Sequence, residues 1–218
     1  MIGIGIQKVN GVPVLAADGQ YVPTTGNVSF GSTIPDYTGG IVNSFTYKNF
    51  NLSLAVDFVK GGKYYSLSDF WGKVSGLYDV TASLNDKGIP IRNNVADGGG
   101  VHVVGVDATT AHAKIDTYVD AGTYYHQFYN HYINENSIYD LTYVKMREIS
   151  FGYKLPLNKL GKMANTFQNI TISAVCHNAF LFYTANKNID PSEIVGGYGE
   201  SGQLPPTRSI GVTLKLGF

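Results

Sequence analysis

The stretch Thr207–Phe218, TRSIGVTLKLGF, places an apolar residue at every second position from Ile210 to its end, which indicates a β-strand with one apolar face. Small or polar residues and one lysine fill the positions between the apolar ones. The pattern by itself fits two structures: a terminal strand half-buried in a soluble sandwich, and a strand that turns one face to lipid. The apolar positions are Ile210, Val212, Leu214, Leu216 and Phe218.

Four more segments alternate in the same way, and we predict each to be a strand: Gly40–Lys48, Asn51–Val59, Leu141–Tyr153 and Asn169–His177. So few residues separate the first two that we expect an antiparallel hairpin. In the third segment the apolar residues change phase near Arg147–Glu148, and a β-bulge there would return them to one face. Weaker strand patterns occur at Ile2–Val9, Tyr21–Phe30 and Val101–Val106.

The lengths of these segments and of their connections favour a membrane barrel over a soluble sandwich. The predicted strands run for roughly 9 to 13 residues, whereas strands of soluble proteins average about 5–6 and tilted bilayer-crossing strands need about 9–11. The connections alternate between short and long, and the long ones are Lys60–Asp140 and Asn178–Thr207. Outer-membrane barrels have short periplasmic turns and long extracellular loops in this way. Because such barrels begin at about eight strands, we expect these five to belong to a larger barrel.

Composition gives no support to several other classes of protein. The 16 basic residues balance the 16 acidic ones, so we expect no nucleic-acid partner, and a single cysteine permits no internal disulfide. The five histidines lack the spacing of zinc ligands, and no spacing of Ser, His and Asp indicates a nucleophile. We therefore predict no metal, no cofactor and no enzyme activity.

Two short motifs have ordinary interpretations. The segment Gly197–Gly202, GYGESG, satisfies the dinucleotide pattern G-x-G-x-x-G, but Pro205 and Pro206 follow it where that site needs a helix. We interpret it as a flexible loop. The segment Asp190–Glu193, DPSE, is interpreted as a turn with capping character.

Five motifs resemble those of a known transporter family. In chain order they are GSTIPDYTGGIVNSFTYKNFNLSLAVDF, GGGVHVVGV, YDLTYVKMREISFGYKLP, HNAFLFYTANKNIDPSE and LPPTRSIGVTLKLGF. Together they resemble the C-terminal end of the SusC/RagA family of TonB-dependent outer-membrane transporters. The resemblance implies a barrel of about 22 strands around a plug, in the outer membrane of a Gram-negative bacterium, that imports oligosaccharides or peptides. It also implies energy from the TonB complex and a SusD-like surface lipoprotein over the barrel mouth.

The predicted fold class is therefore all-β, with antiparallel strands that form the C-terminal part of a transmembrane β-barrel. About five long strands and long extracellular loops are expected. Ile210, Val212, Leu214, Leu216 and Phe218 look like the family's membrane-insertion signal. The family's signal peptide, TonB-contacting segment and plug have no counterpart in these residues. We therefore expect the chain to be incomplete and not transport-competent alone, with lipid, the plug and the remaining barrel strands as its partners.

The expected organisation follows the alternation of strands and loops. The segments are a variable extracellular segment at 1–37, a barrel hairpin at 38–60, a long extracellular loop region at 61–139, a barrel hairpin at 140–178 with a periplasmic turn at 154–168, an extracellular loop at 179–206 and a C-terminal barrel strand at 207–218.

Aromatic residues of the long connection are the predicted contacts with substrate or with the covering lipoprotein. The run Thr123–Tyr132, TYYHQFYNHY, and a group around Trp71 offer flat apolar rings with polar groups, which suit stacking on sugars or gripping peptides. The other interpretation is packing within the loop. The alternative function is a surface or secreted all-β module that binds glycans through its loop tyrosines. The candidate residues are Tyr64, Tyr65, Trp71, Tyr124, Tyr125 and Tyr129.

Overall fold

A computed structural model describes residues 1–109, 111–159, 161, 166–194 and 199–218. Within these residues the chain is mostly antiparallel β-structure, with two α-helices, α1 (Leu67–Val74) and α2 (Ala121–Asn130). The strands are β1 (Ile2–Gly3), β2 (Lys8–Val9), β3 (Val12–Leu15), β4 (Val28–Ser29), β5 (Tyr37–Tyr47), β6 (Phe50–Lys60), β7 (Lys63–Ser66), β8 (Val101–Asp107), β9 (Lys114–Val119), β10 (Ile138–Asp140), β11 (Tyr143–Lys154), β12 (Asn169–Thr184), β13 (Gly199–Glu200) and β14 (Ser209–Gly217).

The chain divides into two compact units, each assembled from separate segments. The first unit comprises Met1–Thr33, Lys63–Tyr139 and the described part of Val195–Gln203. The second unit comprises Ile34–Gly62, Asp140–Ile194 and Leu204–Phe218, as far as these are described. All five long strands belong to the second unit, and both helices belong to the first.

The second unit is built on one five-stranded antiparallel sheet, in the order β14-β12-β11-β6-β5. These are the five strands that the sequence predicts, and the predicted all-β class is confirmed. Tyr47 pairs with Phe50, so a two-residue turn makes the expected hairpin. β12 is the exception in length, because it continues to Thr184 instead of ending at His177. The alternation in sequence stops at Asn178, whose φ is +52°, but pairing with β11 resumes beyond it.

The predicted β-bulge in β11 is confirmed. Met146 pairs with Val56 of β6, and the next paired residue is Glu148, opposite Ala55, so Arg147 is the inserted residue. One inserted residue shifts the side-chain alternation by one position. The apolar residues before and after the bulge therefore lie on the same face of the sheet.

The first unit has smaller sheets and a core of its own. β2, β3, β8 and β9 form one sheet, β10, β7 and β13 form another, and β1 pairs with β4. Leu15, Val103 and Val119 form one buried cluster of this core. Phe128 and Ile133 belong to a second, neighbouring cluster. Of the weaker strand patterns, Val101–Val106 corresponds to β8, whereas the other two contain only the two-residue strands β1, β2 and β4. None of these strands belongs to the five-stranded sheet.

Both helices begin at a side chain that caps their first turn. Ser66 Oγ accepts a hydrogen bond from the Asp69 N–H (3.1 Å) at α1, and Asp120 Oδ1 accepts one from the Thr123 N–H (3.0 Å) at α2. Neither helix was predicted from the sequence, because Tyr- and Phe-rich segments by themselves favour strands. Within the described residues, no helix combines the length and the hydropathy needed to cross a bilayer.

Candidate functional site

The five-stranded sheet has one predominantly apolar face that crosses all its strands. Residues directly opposite each other in paired strands share a face, and Ile41, Val56, Met146 and Phe180 form one such row. A second row ends in β14, where Cys176 of β12 pairs with Ile210, and the rows beyond contain leucine, isoleucine, valine, alanine and phenylalanine. The exposed part of this face is large, since Val212 is 76% exposed and Leu214 58%.

Charged side chains avoid this apolar face. Within the described strands, Asn43 is the one polar side chain on this face away from the ends of the strands, as the sequence predicted. Lys60 also lies on this face, but at the last position of β6. Lys145, Glu148 and Lys215 lie on the opposite face, where serine and threonine predominate. A charged side chain turned to lipid at the bilayer midplane would cost about 2–4 kcal/mol, so the distribution matches what a lipid-facing surface requires.

Aromatic side chains collect at both ends of the sheet. At the end with the β5–β6 turn, the Phe50 ring lies 4.8 Å from Tyr153 and 5.7 Å from Phe151, and Phe167 lies 5.1 Å from Phe218. At the opposite end, the Phe180 and Phe182 rings are stacked 6.2 Å apart, close to Tyr183 in sequence and to Phe58 and Tyr37 at the ends of their strands. Aromatic girdles at both interfaces are typical of strands that cross a membrane.

The opposite face holds a cluster of paired charges, which we call the Lys145 cluster. Lys145 is 2% exposed, and its Nζ lies 2.7 Å from Asp190 Oδ2, 2.9 Å from Ser192 Oγ and 3.5 Å from Glu193 Oε1. The cluster joins β11 to the short 3₁₀ turn Pro191–Glu193. Its members are Asp57, Lys145, Arg147, Asp190, Ser192 and Glu193.

Arg147, the inserted residue of the bulge, extends the Lys145 cluster to a third strand. Its Nε donates to Asp57 Oδ2 (2.8 Å) on β6, and its Nη1 donates to Glu193 Oε1 (2.6 Å). The Ser192 carbonyl oxygen accepts a third, longer bond from Nη2 (3.3 Å). The bulge therefore places this guanidinium on the polar face, where it lies between β6 and the Pro191–Glu193 turn.

The loop acids of the cluster are held in their charged form. Burial favours the protonated carboxyl of Asp190, but hydrogen bonds from Lys145 and Ser192 outweigh it and place the pKa below its ordinary value. The pKa of Glu193 is likewise lowered, because the Arg147 hydrogen bond outweighs burial. The capping character predicted for this turn is observed, since Asp190 Oδ1 accepts from the Ser192 N–H at 3.0 Å. The sequence did not indicate the partners on β11.

The six aromatic candidates all lie in the first unit, but they differ in exposure. Trp71 on α1 and Tyr129 on α2 are 47% and 51% exposed, and their rings lie 5.5 Å apart. Tyr64 and Tyr125 are buried, and the Tyr125 hydroxyl donates to the Val80 carbonyl oxygen at 3.0 Å.

Tyr65 and Tyr124 are half-buried and pack against phenylalanine rings. Tyr65 lies 6.2 Å from Phe70, and Tyr124 lies 5.7 Å from Phe128. Burial raises the pKa of Tyr65 to about 12. The structure therefore brings Trp71 and Tyr129 together as an exposed ring pair, while the other four candidates form part of the packing.

A second polar network, unforeseen from sequence, closes the first unit. Glu200 is buried and accepts hydrogen bonds from the Ser66 hydroxyl (2.9 Å), the Ser68 N–H (2.9 Å) and hydroxyl (2.7 Å), and the Gly202 N–H (2.5 Å). Burial raises its pKa, but these bonds outweigh burial and leave the pKa below the ordinary value. Nearby, the buried Asp69 carboxylate accepts a bond from the Tyr139 hydroxyl at 2.8 Å.

Glu200 belongs to the GYGESG motif, of which Gly197 and Tyr198 lie outside the described residues. Its described part forms β13, which pairs in parallel with β7 before α1. The carboxylate therefore supports the start of α1.

The histidines form no metal site in the described part of the chain, where no three potential ligands converge. His102 comes nearest, with Nδ1 3.1 Å from Asp86 and Nε2 2.7 Å from Asp116, on opposite edges of the ring. Its ring stacks 4.8 Å from Tyr118. Hydrogen bonds from His102 and then from Lys114 lower the pKa of Asp116 to about 2.

Sequence comparison gives no relative for this chain, because no protein-family model matches it and no curated protein matches it. Comparison of structures does. The fold is similar to part of the RagAB peptide importer in its 'closed-closed' state, with a TM-score of 0.58 and 13% identity over 99% of this chain. The 'open-open' state gives 0.58 and 13% over 100%, and another RagAB peptide transporter structure gives 0.59 and 12% over 99%.

In each comparison the chain spans 22% of the length of the chain it matches. At these identities the similarity shows a shared fold. It agrees with the resemblance to a RagA-like transporter seen in the sequence motifs, and it covers both units of the chain.

Proposed function

We propose that this chain forms part of the barrel wall of an outer-membrane importer of the SusC/RagA type, and that its first unit is built from extracellular loops. The observation that carries the proposal is the apolar face, which crosses five strands without an internal charge and is exposed at β14. Burial of such a face in acyl chains removes the exposed patch that a soluble protein would have to cover.

The two edges of the sheet support a larger barrel. In the described residues β5 pairs only with β6, and β14 pairs only with β12, so each outer strand has one edge of unpaired backbone groups. In lipid these groups need partners, because no water reaches them. The remaining strands of the barrel would supply these partners, and the plug would fill the lumen behind the polar face.

The proposed substrate is a peptide or an oligosaccharide, and the proposed role in uptake requires TonB and a SusD-like lipoprotein. The similarity to a peptide importer favours peptides. Trp71 and Tyr129 are the proposed contacts with substrate or lipoprotein, because they form the exposed ring pair. The proposed segments remain those read from sequence, except that the last extracellular loop would begin after Thr184.

A second candidate is a surface module that binds glycans. The same exposed pair of Trp71 and Tyr129 favours it, since two rings 5.5 Å apart offer a stacking surface for sugar rings. This candidate gives no role to the apolar face of the sheet. We therefore favour the importer.

Charge placed on either face of β14 tests the barrel proposal. We expect Val212→Arg to abolish assembly in isolated outer membranes, because its charge would face lipid at a cost of about 2–4 kcal/mol. Thr213→Arg, one residue further on the polar face, is the matched control and should assemble. Assembly is measured by protease resistance and by the shift between heated and unheated samples in gel electrophoresis. Normal assembly of V212R, or equal loss for both variants, would contradict the proposal.

A further inference from the structure

A cavity of about 330 Å³ lies beside the Lys145 cluster in the second unit. This volume is at the lower end of the range of about 300–1,000 Å³ for ligand pockets. Lys145, Asp190, Lys187 and Arg208 provide its charged groups. Leu181 and Pro206 contribute apolar wall. The lining of the cavity therefore combines charged and apolar residues.

The charges of the cavity do not balance. Asp190 is the single carboxylate in its lining, against three cations. Both oxygens of Asp190 are already occupied, since Oδ2 accepts from Lys145 at 2.7 Å and Oδ1 accepts from the Ser192 N–H at 3.0 Å. Lys187 and Arg208 pair with no carboxylate anywhere in the part of the chain that the structure describes. Two positive charges of the lining are therefore left without a counter-ion from the described residues.

Among the described residues, Arg208 is oriented by a ring contact that does not use its hydrogen-bond donors. Its Cζ lies 5.6 Å from the centre of the Phe180 ring, a cation–π distance. Such a contact engages the face of the guanidinium and leaves its N–H groups available. A guanidinium with free, coplanar N–H groups binds a carboxylate through two parallel hydrogen bonds.

From these observations we propose that the cavity binds the carboxylate of a ligand, and that this carboxylate is the C-terminus of a peptide. Lys187 and Arg208 bind the carboxylate, and the wall formed by Leu181 and Pro206 contacts the apolar side chain next to it. The choice of a peptide rests on the proposed function. A sugar acid presents the same carboxylate and is the other source.

Three probes test the site on the assembled membrane protein by calorimetry. They are an N-acetylated apolar tetrapeptide with a free C-terminal carboxylate, the same peptide as its C-terminal amide, and digalacturonate. We expect the acid peptide to bind about tenfold more tightly than the amide, as for a charge-assisted pair of hydrogen bonds. The difference should disappear in the K187Q/R208Q variant.

Lys215→Gln is the matched control, because it removes one charge about 23 Å along the chain from Arg208, at about 3.3 Å per residue of strand. It should keep the tenfold difference. If digalacturonate alone depends on Lys187 and Arg208, the carboxylate site stands and its source is a sugar acid. The inference would be overturned if the acid and the amide bound equally and digalacturonate binding did not depend on Lys187 and Arg208. It would also be overturned if the acid–amide difference persisted in K187Q/R208Q, or if no probe bound. The assembly of V212R and T213R tests the barrel proposal separately from these binding measurements.

Discussion

Replacing Lys145 with methionine removes the central charge of the Lys145 cluster and keeps a side chain of similar length. The side chains of Lys145 and Asp190 are 2% and 13% exposed, so water screens their 2.7 Å ion pair very little. Removal of one partner from a buried pair costs about 3–5 kcal/mol, because the other charge remains buried. Glu193 remains paired with Arg147 at 2.6 Å and is partly exposed, so the loss of its contact with Lys145 adds little to this cost. We therefore expect K145M to lose about 3 kcal/mol of unfolding free energy, at the low end of that range.

Urea unfolding in phospholipid vesicles, followed by circular dichroism, measures this loss. For a slope of about 1–3 kcal/mol per molar urea, the midpoint should fall by about 1–3 M. D190N and the double variant K145M/D190N complete a double-mutant cycle, in which we expect a coupling of about 2 kcal/mol. Lys215→Met is the control for a lysine on the same face outside the cluster. A K145M midpoint equal to that of K215M, or a coupling near zero, would refute the reasoning.

The same ion pair predicts a direction of pH dependence. The pKa of Asp190 in the folded chain lies below its ordinary value of 3.8, so the charged form is the one that folding stabilises. The contribution is therefore complete from neutral pH down to about pH 4, and it is lost as the pH falls through the folded-state pKa. K145M should flatten this acid limb of the stability curve.

Two further predictions concern the first unit. Glu200→Gln should destabilise it by about 1–3 kcal/mol, because all four groups that contact the carboxylate donate hydrogen bonds and the amide would turn an NH₂ group toward donors. Hydrogen exchange at α1 measures the loss, and unchanged protection would contradict the prediction. Trp71→Ala should weaken the binding of ligand or lipoprotein and leave the thermal stability unchanged. Tyr125→Ala, which removes a buried ring, should instead cost about 3–5 kcal/mol of stability. The reverse pattern would contradict the assignment of Trp71 as a contact.

The five long strands were predictable because one physical requirement acts on every second residue. A face in contact with apolar surroundings excludes charge, and the pleat of a strand turns that requirement into alternation. The same reasoning predicted the bulge near Arg147–Glu148, since only an inserted residue keeps Met146 and Ile149 on one face. The alternation also correctly marked Asn43 as the polar exception.

The interactions that join distant segments were not predictable from pattern. Lys145 and Asp190 are 45 residues apart, and Arg147 and Asp57 are 90 apart, so no local periodicity connects them. α2 was missed because tertiary packing of Tyr125 and Phe128 outweighs the strand preference of aromatic residues. β12 was predicted too short because the strand continues past an irregular residue at which the alternation ends.

The central claim is that the apolar face of the five-stranded sheet contacts lipid acyl chains. Its most direct test is a spin-label scan of Ser209–Gly217 in the membrane-embedded protein, after Cys176→Ala removes the native thiol. Collision with dissolved oxygen should peak at positions 210, 212, 214 and 216, and collision with a water-soluble nickel chelate at the positions between them. Equal access of the nickel chelate to both sets of positions would contradict the claim.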